Sequence, residues 1–309
     1  MRQIKILGFG TFVPDHTVTF EDQTRYRCAN GETQVDLAVY ACERALKNAN
    51  LSIDDIDLIL NGSAVPTQLI PSTASLIHER IAKGRDIPAF DVNSSCSGFL
   101  TALDVASLYI KEGQYEKILI VSEELASAGL NPNQKESYEL FSDGAAAVII
   151  TASEEEQGIL AVMQKTFSEG AHYTEIRGGG TGYPGYRHEA GDEAEYLFDM
   201  KGKQILFITA RYLPKVFKEF YEKYNLTIDD IDLIVPHQAS KALSMFMGRM
   251  GIPEGKYVDV VKDYGNMVSA SVPFTFCKAI EEGRIQKGDT VLLCATAAGL
   301  TVNMVLWKL

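Results

Sequence analysis

Three side chains with complementary chemistry lie where the sequence predicts that a strand gives way to a helix. They are Cys96, His237 and Asn266, in Ser94-Ser-Cys-Ser-Gly98, Pro236-His-Gln-Ala-Ser240 and Tyr264-Gly-Asn-Met-Val268. A thiolate can attack an acyl carbonyl and hold the acyl group. A neutral imidazole and an amide NH₂ can both donate hydrogen bonds to an enolate oxygen. A cysteine protease uses the same residue types differently, because its Asn orients the His that deprotonates Cys. The residues alone leave both chemistries open.

The segment around Cys96 predicts a strand, a tight turn and a helix. Residues 86–92 have the apolar character of a short buried strand, and residues 98–110 carry apolar side chains at helical spacing. Free backbone N–H groups at a helix N-terminus favour an anion, so we expect the pKa of this thiol to be lowered. A buried structural cysteine is the alternative and the commoner fate of a free thiol. The small residues Ser95, Ser97 and Gly98 leave room for a substrate and favour the catalytic reading.

An internal repeat predicts how these side chains are brought together. Residues 50–59 and 225–234 share nine of ten identities at a separation of 175 residues, and residues 110–114 are echoed at 280–284. Each long copy follows an amphipathic helix and precedes a strand. This period is far longer than that of a solenoid. We therefore predict two duplicated α/β halves, 1–155 and 156–309, which face each other across the catalytic residues.

Composition excludes several classes of protein. The chain has 309 residues and a net charge of −12, which lacks the basic footprint of a nucleic-acid-binding protein. No apolar run is long enough for a membrane span, and no signal peptide is recognisable at Met1. The five cysteines are scattered without a CxxC pair, which predicts a reduced cytoplasmic protein without a disulfide or metal site.

Two glycine-rich stretches could be taken for nucleotide sites. Gly8-Phe-Gly10 lacks the third glycine of a dinucleotide-binding turn, and Pro14 would break the helix that such a turn requires. Residues 168–199 are rich in glycine but contain no Gly-Lys-Ser/Thr, so we expect a surface connection between the halves. Residues 15–32 are polar, and we predict that they are irregular.

Five motifs, in this order, resemble β-ketoacyl-acyl-carrier-protein synthase III of the thiolase-like superfamily. They are Gly8-Phe-Gly-Thr-Phe-Val-Pro14, Asp91-Val-Asn-Ser-Ser-Cys-Ser-Gly-Phe99, Phe141-Ser-Asp-Gly-Ala-Ala-Ala-Val148, Pro236-His-Gln-Ala-Ser240 and Tyr264-Gly-Asn-Met-Val-Ser-Ala-Ser-Val-Pro273. The resemblance covers nearly the whole chain. It implies a five-layer αβαβα fold, a homodimer, and Cys96, His237 and Asn266 as the catalytic residues. Elongating synthases use two histidines and thiolases a second cysteine, and Asn266 argues against both.

The resemblance also implies the reaction. An acyl-CoA or acyl-carrier thioester acylates Cys96, and a malonyl thioester then loses CO₂ while His237 and Asn266 hold the enolate oxygen. The carbanion attacks the acyl-enzyme and gives a β-ketoacyl product. The N–H groups of Cys96 and Gly299 would form the oxyanion hole. No permanently bound cofactor or metal is implied, and the acyl carrier protein would be a transient partner.

Two further groups are predicted around the catalytic residues. Phe99, Phe207 and Ile70 are candidates for an acyl tunnel, with a plain core role as the alternative. Lys241, Arg249 and Lys256 follow the His237 motif and could dock an acidic carrier, although an ordinary solvated helix face has the same composition.

Three departures from the family pattern indicate a specialised relative. Residues 15–32 are short and lack the family's Trp and Arg-Thr-Gly-Ile run, the C-terminal motif is Ala297-Ala-Gly-Leu-Thr301, and Phe-Gly-Asp-Gly is Phe141-Ser-Asp-Gly144. The alternatives left open are acyl transfer or thioester hydrolysis without condensation, a non-catalytic carrier-binding protein and, remotely, a protease.

Overall fold

The computed structural model describes residues 1–309, and its elements alternate between strands and helices. The first strands and helices are β1 (Ile4–Phe12), β2 (Thr17–Phe20), β3 (Gln23–Tyr26), α1 (Gln34–Ala49), β4 (Leu58–Asn61), α2 (Thr73–Ile81), β5 (Ala89–Asp91), α3 (Gly98–Lys111), β6 (Lys117–Glu124), α4 (Lys135–Tyr138) and β7 (Gly144–Ala152). The remainder are β8 (Gly158–Thr166), β9 (Thr174–Glu175), β10 (Asp199–Met200), α5 (Gly202–Tyr224), β11 (Leu233–Pro236), α6 (Leu243–Arg249), α7 (Val261–Tyr264), α8 (Ser271–Glu281), β12 (Thr290–Ala297) and β13 (Thr301–Lys308).

Two sheets with the same strand order carry the duplication. The first has the order β1-β7-β6-β4-β5 and the second β8-β13-β12-β11. β4 pairs in parallel with β6, and β11 pairs in parallel with β12. Where the first sheet adds β5, the second has an isolated bridge between Ile234 and Tyr257. The chain passes from the first sheet to the second between Ala152 and Gly158.

Both copies of the repeated phrase turn a helix into a strand by the same interactions. Asn50 and Asn225 end α1 and α5 in the left-handed conformation, with φ of 54° and 53°. This conformation suits Asn, whose short polar side chain tolerates it. Asp57 and Asp232 then accept hydrogen bonds from backbone N–H groups at the start of β6 and β12 (2.8 and 2.7 Å). Capping boxes join Ser52 to Asp55 and Thr227 to Asp230. The identities in the repeat therefore preserve backbone hydrogen bonds.

The elements stack in five layers, which confirms the predicted thiolase-like fold. Helices α1 and α2 cover the outer face of the first sheet, and α5 and α6 cover that of the second. Helices α3 and α8 lie between the sheets. The central core contains 27 buried residues from both halves, against 17 and 16 in the two outer cores. The shared central layer is therefore the largest single core of the fold, because it buries more apolar residues than either outer core.

Residues 15–32 differ from the sequence prediction. They contain a hairpin in which β2 and β3 pair from Thr17–Tyr26 to Phe20–Gln23 around a two-residue turn. Its first turn residue, Glu21, has a φ of 55°, as primed hairpin turns require. Each strand has only four residues, too few for alternation to stand out in the sequence. Residues 168–199 form a surface connection, but it joins β8 to α5 within the second half and does not join the two halves. The short β9–β10 ladder closes its base.

A close contact between Gly62 and Gly98 sets the position of the first turn of α3 against the end of β4. A Cβ on Gly98 would lie 1.9 Å from the carbonyl oxygen of Gly62, and a Cβ on Gly62 would lie 2.8 Å from the backbone nitrogen of Phe99. Both atoms are backbone and neither can move aside without shifting β4 or α3. Glycine is therefore required for helix and strand to approach this closely.

We predict that Gly98→Ala destabilises the protein by about 3 kcal/mol or more, because overpacking against backbone leaves no side chain to rearrange. Gly248→Ala, within α6, is the control, because its added Cβ meets nothing within 4 Å. That change should be neutral or stabilise by up to about 1 kcal/mol through helix propensity. Urea denaturation of the two variants measures the difference, and equal midpoints would contradict the argument.

Candidate active site

Cys96 lies on a tight turn between β5 and α3. Ser95, which precedes it, has a φ of 53°, a conformation that costs energy for a residue other than glycine. The backbone N–H of Ser95 donates to Oδ1 of Asn93 (2.9 Å), which holds the turn. Cys96 itself is half-buried. Its thiol is thus presented at the edge of the first sheet, as the sequence predicts.

The pKa of Cys96 differs from the sequence expectation. Burial, with a smaller contribution from Glu124, raises the pKa of this thiol to about 12. The backbone N–H groups of Ala298 and of Cys96 act in the opposite direction. The N-terminus of α3 therefore does not outweigh desolvation, because moving a thiolate out of water favours the neutral form. The N–H group beyond β12 that lowers the pKa of the Cys96 thiol belongs to Ala298. The family resemblance predicts the next residue, Gly299, for the oxyanion hole. Gly299 has a φ of 129° in the turn into β13.

His237 follows β11 directly and is held by its backbone, whose N–H donates to the carbonyl oxygen of Cys294 (2.8 Å). Only 4% of the residue is exposed, and burial lowers the pKa of its imidazole to about 4. The ring is therefore neutral at physiological pH. Nδ1 has no hydrogen-bond partner. We accordingly assign the single ring proton to Nε2, which makes Nε2–H a donor.

The side-chain amide of Asn266 has its oxygen engaged in hydrogen bonds and its NH₂ group free. Its Oδ1 accepts hydrogen bonds from the N–H of Val268 (2.8 Å) and the hydroxyl of Ser271 (3.4 Å). The backbone of Asn266 bonds to the other half on both sides, to the carbonyl oxygen of Leu140 and the N–H of Ser142 (both 2.9 Å). Nδ2 is left as the donor that can reach a ligand.

The three residues lie on loops that converge at the facing edges of the two sheets. β12 connects His237 to Cys96, because Cys294 accepts the His237 hydrogen bond and Ala298, just beyond the strand, acts on the thiol. Glu124 connects the remaining loop, because it acts on Cys96 and accepts a hydrogen bond from Ser269 (2.5 Å), three residues after Asn266. These contacts link the loops that carry His237 and Asn266 to the loop that carries Cys96.

A cavity of about 440 Å³ lies beside His237, between α5 and α6. Its polar lining includes Lys203, Lys241, Ser240, Glu136 and Glu139, and its apolar lining includes Ile205, Leu206, Leu213, Phe217, Leu243 and Met247. A mostly apolar cavity with a few polar groups is the usual form of a small-molecule site.

The predicted tunnel residues do not line this cavity. Phe207 is 72% exposed and Ile70 is 85% exposed, so both lie on the surface of the chain. Phe99 is fully buried in the central core. The apolar wall beside His237 comes instead from Ile205 and Leu206, which turn towards the cavity from the same helix as Phe207.

The predicted docking residues separate into two groups. Lys241 is exposed and lines the cavity, and Arg249 is exposed at the end of α6. Nζ of Lys256 instead donates to the carbonyl oxygens of Ile228 and Ile231. Its ammonium group is therefore engaged by the chain before β11, which leaves Lys241 and Arg249 as the docking candidates with free ammonium and guanidinium groups.

Sequence reasoning missed Glu123 and Glu124, both buried at the end of β6. The available signal was a pair of acidic residues that continues an apolar strand with no turn between them. Glu123 has no hydrogen-bond partner for either carboxyl oxygen, and burial raises its pKa well above the usual range. A carboxyl in this position is protonated, because a buried carboxylate without a partner is too costly.

The structure offers neither a metal-binding cluster nor a membrane-spanning helix. No group of three or more His, Cys, Asp or Glu side chains is arranged to hold a metal ion. None of the helices combines the length and apolar character needed to cross a bilayer.

Comparison with known proteins identifies the family. The profile of 3-oxoacyl-[acyl-carrier-protein] synthase III matches residues 90–168, and that of the synthase III C-terminal region matches residues 221–309. A β-ketoacyl-[acyl-carrier-protein] synthase III of Clostridium perfringens is 32% identical over 327 aligned residues, covering 100% of both chains. The chain belongs to the β-ketoacyl-acyl-carrier-protein synthase III family. It is a condensing enzyme of the acyltransferase class, as its motifs predicted.

Solved structures agree with this assignment. The synthase III of Aquifex aeolicus superposes with a TM-score of 0.87 at 29% identity, covering 99% of this chain and 100% of its own. An OleA of Xanthomonas campestris superposes with a TM-score of 0.85 at 20% identity, covering 99% of each chain, and shows likeness of fold alone. The family and thiolase-like fold predicted from the sequence are confirmed.

We predict that Glu123→Gln changes how stability depends on pH. The pKa of Glu123 is raised in the folded state, so its contribution is fully present below the unfolded pKa of about 4.3 and is lost as pH rises. The wild-type free energy of unfolding should fall, relative to the variant, by up to about 1.4 kcal/mol per pH unit from pH ~4 towards neutrality. Denaturation curves from pH 4 to 8 test this, and parallel stability profiles would refute it.

Proposed function

We propose that the enzyme joins an acyl group, held on Cys96, to a carbanion formed by decarboxylation of a malonyl thioester. The observation that carries this proposal is the pair of neutral donors. Burial keeps His237 uncharged, and the bonds to Oδ1 of Asn266 leave its NH₂ free. Such a pair stabilises an oxyanion without acting as a base, which is what an enolate formed by loss of CO₂ requires.

The first step is transfer of the acyl group to the thiol. The Cys96 thiol loses its proton as its sulfur attacks the donor's carbonyl carbon, the bond from that carbon to the donor sulfur breaks, and the donor sulfur takes up that proton and leaves as a thiol. The N–H groups of Cys96 and Ala298 act at the thiol. We assign these two N–H groups to the oxyanion hole of this step. Cys96 keeps its predicted role, and Ala298 replaces Gly299.

The second step forms the carbon–carbon bond. A malonyl thioester loses CO₂, and the electron pair of the broken bond becomes an enolate whose oxygen accepts hydrogen bonds from Nε2 of His237 and Nδ2 of Asn266. Its carbon attacks the acyl-enzyme, and Cys96 leaves as a thiolate. No general base is needed, which fits an imidazole whose pKa of about 4 makes it a poor proton acceptor.

The cavity beside His237 is assigned to the arm that carries the thioester. It places a largely apolar cavity next to His237, with Lys203 and Lys241, as well as Glu136 and Glu139, in its polar lining. We infer substrates delivered as acyl-CoA or acyl-carrier thioesters and an acyl carrier protein as transient partner. The short β2–β3 hairpin replaces the longer family segment, so we expect contacts to the carrier to dominate over contacts to a nucleotide.

We further propose a cytoplasmic homodimer. All five cysteines are free, which suits a reducing compartment. Strand β5 is an edge of the first sheet, and the nearby Leu69 and Ile70 are 72% and 85% exposed. An exposed strand edge with apolar neighbours favours association with a second copy. Light scattering, against a chain mass of 34.0 kDa, measures the oligomer.

We predict separate losses for the three catalytic residues. Incubation with acyl-CoA and acyl-carrier thioesters should add one acyl group to the wild type and none to Cys96→Ala, as measured by intact-protein mass spectrometry. His237→Ala and Asn266→Ala should still be acylated, but should release CO₂ from a malonyl thioester about 10²–10³-fold more slowly, because each lacks one enolate donor.

Two outcomes of this experiment would contradict the proposed reaction. Acylation without CO₂ release in the wild type would replace condensation with simple acyl transfer or thioester hydrolysis. An adduct that persists in Cys96→Ala would remove Cys96 as the acyl acceptor. Loss of folded structure in a variant, checked by circular dichroism, would exclude that variant from the comparison.

We predict that Arg249→Glu raises the KM for a carrier-bound malonyl substrate several-fold, on the order of the effect of one reversed docking charge, because like charges oppose docking of an acidic carrier. Lys241 is left unchanged, because it lines the cavity that both carrier and CoA substrates would use. The KM for malonyl-CoA should change little. Lys47→Glu is the matched control, because Lys47 is exposed at the end of α1 on the other half. An unchanged KM for the carrier substrate would remove this surface from docking.

A further inference from the structure

Glu124 accepts hydrogen bonds from two loops of the active site, one in each half, through a single carboxyl oxygen. It is the last residue of β6 and is 1% exposed. Its Oε1 accepts hydrogen bonds from the N–H of Ala64 (2.6 Å) and the hydroxyl of Ser269 (2.5 Å). Ala64 belongs to the first half and Ser269 to the second. One carboxyl group therefore joins the halves at the catalytic edge.

Both hydrogen bonds lead to a catalytic residue. On one side, the carbonyl oxygen of Ala64 accepts from Nδ2 of Asn93 (2.8 Å), and Oδ1 of Asn93 accepts from the N–H of Ser95, next to Cys96. On the other side, Ser269 belongs to the short turn at Val268–Ala270, whose first N–H donates to Oδ1 of Asn266. Glu124 thus lies between the loop that carries the thiol and the loop that carries the enolate donor.

The surroundings of Glu124 contain no compensating cation. Cys96 faces it from the turn before α3, and Glu123 precedes it on β6. The segment after β4 and the turn at Val268–Ala270 contribute only N–H and O–H donors. On β7 it pairs with Gly144, and the preceding Asp143 is engaged by Cys28 and Ser127.

Burial raises the pKa of Glu124 to about 7, and the hydroxyl of Ser269 acts to lower it. Among the groups that line the site, Cys96 titrates far above neutrality and His237 far below it. Glu124 is therefore the one among these three whose charge changes near neutral pH.

We propose that Glu124 is a positioning residue that supports the reaction in its uncharged form and suppresses it when ionised. Uncharged, it holds both loops without opposing the negative charge that develops on Cys96 or the carboxylate of a malonyl group. Ionised, it adds a buried negative charge that disfavours both. This inference rests on the proposed role of Cys96 as nucleophile, and it adds a pH-dependent control to that role.

The first test measures the rate at which iodoacetamide alkylates Cys96 in the full-length protein from pH 5 to 10, followed by mass spectrometry, with Cys96→Ala as the background. A thiol without a titrating neighbour gives a rate that rises tenfold per pH unit below its pKa. In the wild type we expect a break in this line near pH 7, with rates above the break about tenfold lower than the extrapolated line.

Two variants make the assignment specific. Glu124→Gln should abolish the break and react about tenfold faster at alkaline pH. Ser269→Ala should retain the break but move it to higher pH, because it removes a hydrogen bond that favours the carboxylate. A break that stays at the wild-type pH in both variants, or no break in the wild type, would overturn the proposal.

The design keeps this inference separate from the proposed function. Alkylation requires neither an acyl donor nor a malonyl thioester, so its pH profile is informative even if condensation is not observed. Where condensation is observed, the ratio of the wild-type kcat/KM to that of Glu124→Gln should fall as pH rises through 7. If Glu124→Gln fails to fold, the displacement of the break in Ser269→Ala alone decides.

Discussion

The close approach of Gly98 to the carbonyl of Gly62 is the constraint on which the active site depends. It brings the first turn of α3 against the end of β4 with no side chain between them. The turn that carries Cys96 must then fit into the few residues between β5 and α3, which forces Ser95 into the left-handed conformation. The same contact sets the depth of α3 between the sheets. The position of the nucleophile is thus a consequence of backbone packing.

Burial decides the protonation states in this site. It removes the charge from His237, it opposes the thiolate of Cys96, and it keeps Glu123 protonated. A site of this kind carries out its chemistry with neutral donors and forms negative charge only transiently. Preorganised donors in a region shielded from water stabilise such a charge more strongly than water does. The fixed Oδ1 of Asn266 shows how the fold prepares one donor in advance.

The sequence was sufficient where function depends on local backbone interactions. The repeated phrase predicted the two halves because its Asn and Asp residues serve backbone groups within a few residues or on the adjacent strand. The catalytic motifs also placed Cys96, His237 and Asn266 at the edges of elements. Their roles rest on chemistry and on the family resemblance, and remain proposals.

The remaining features depend on depth and direction, which periodicity does not specify. Glu124 could not be recognised as a link because its partner Ser269 is distant in the chain. Ala298, and not Gly299, acts on Cys96 because of how the chain turns after β12. Lys256 reaches inward to two carbonyl groups, whereas a sequence shows only that it is charged. Phe207 lies outside the cavity, whereas Ile205 and Leu206, its neighbours on the same helix, line it.

The shared central layer has a consequence for how the chain acquires its structure. Its 27 buried residues come from both halves and outnumber those of either outer core. A fragment that ended after β7 would leave one face of α3 and of the first sheet exposed to water. Such a fragment would lack a cooperative folding transition of its own, so a ribosome-bound nascent chain would gain its stable core only after α8 and β12 had emerged. The duplication therefore produced one folding unit from two similar halves.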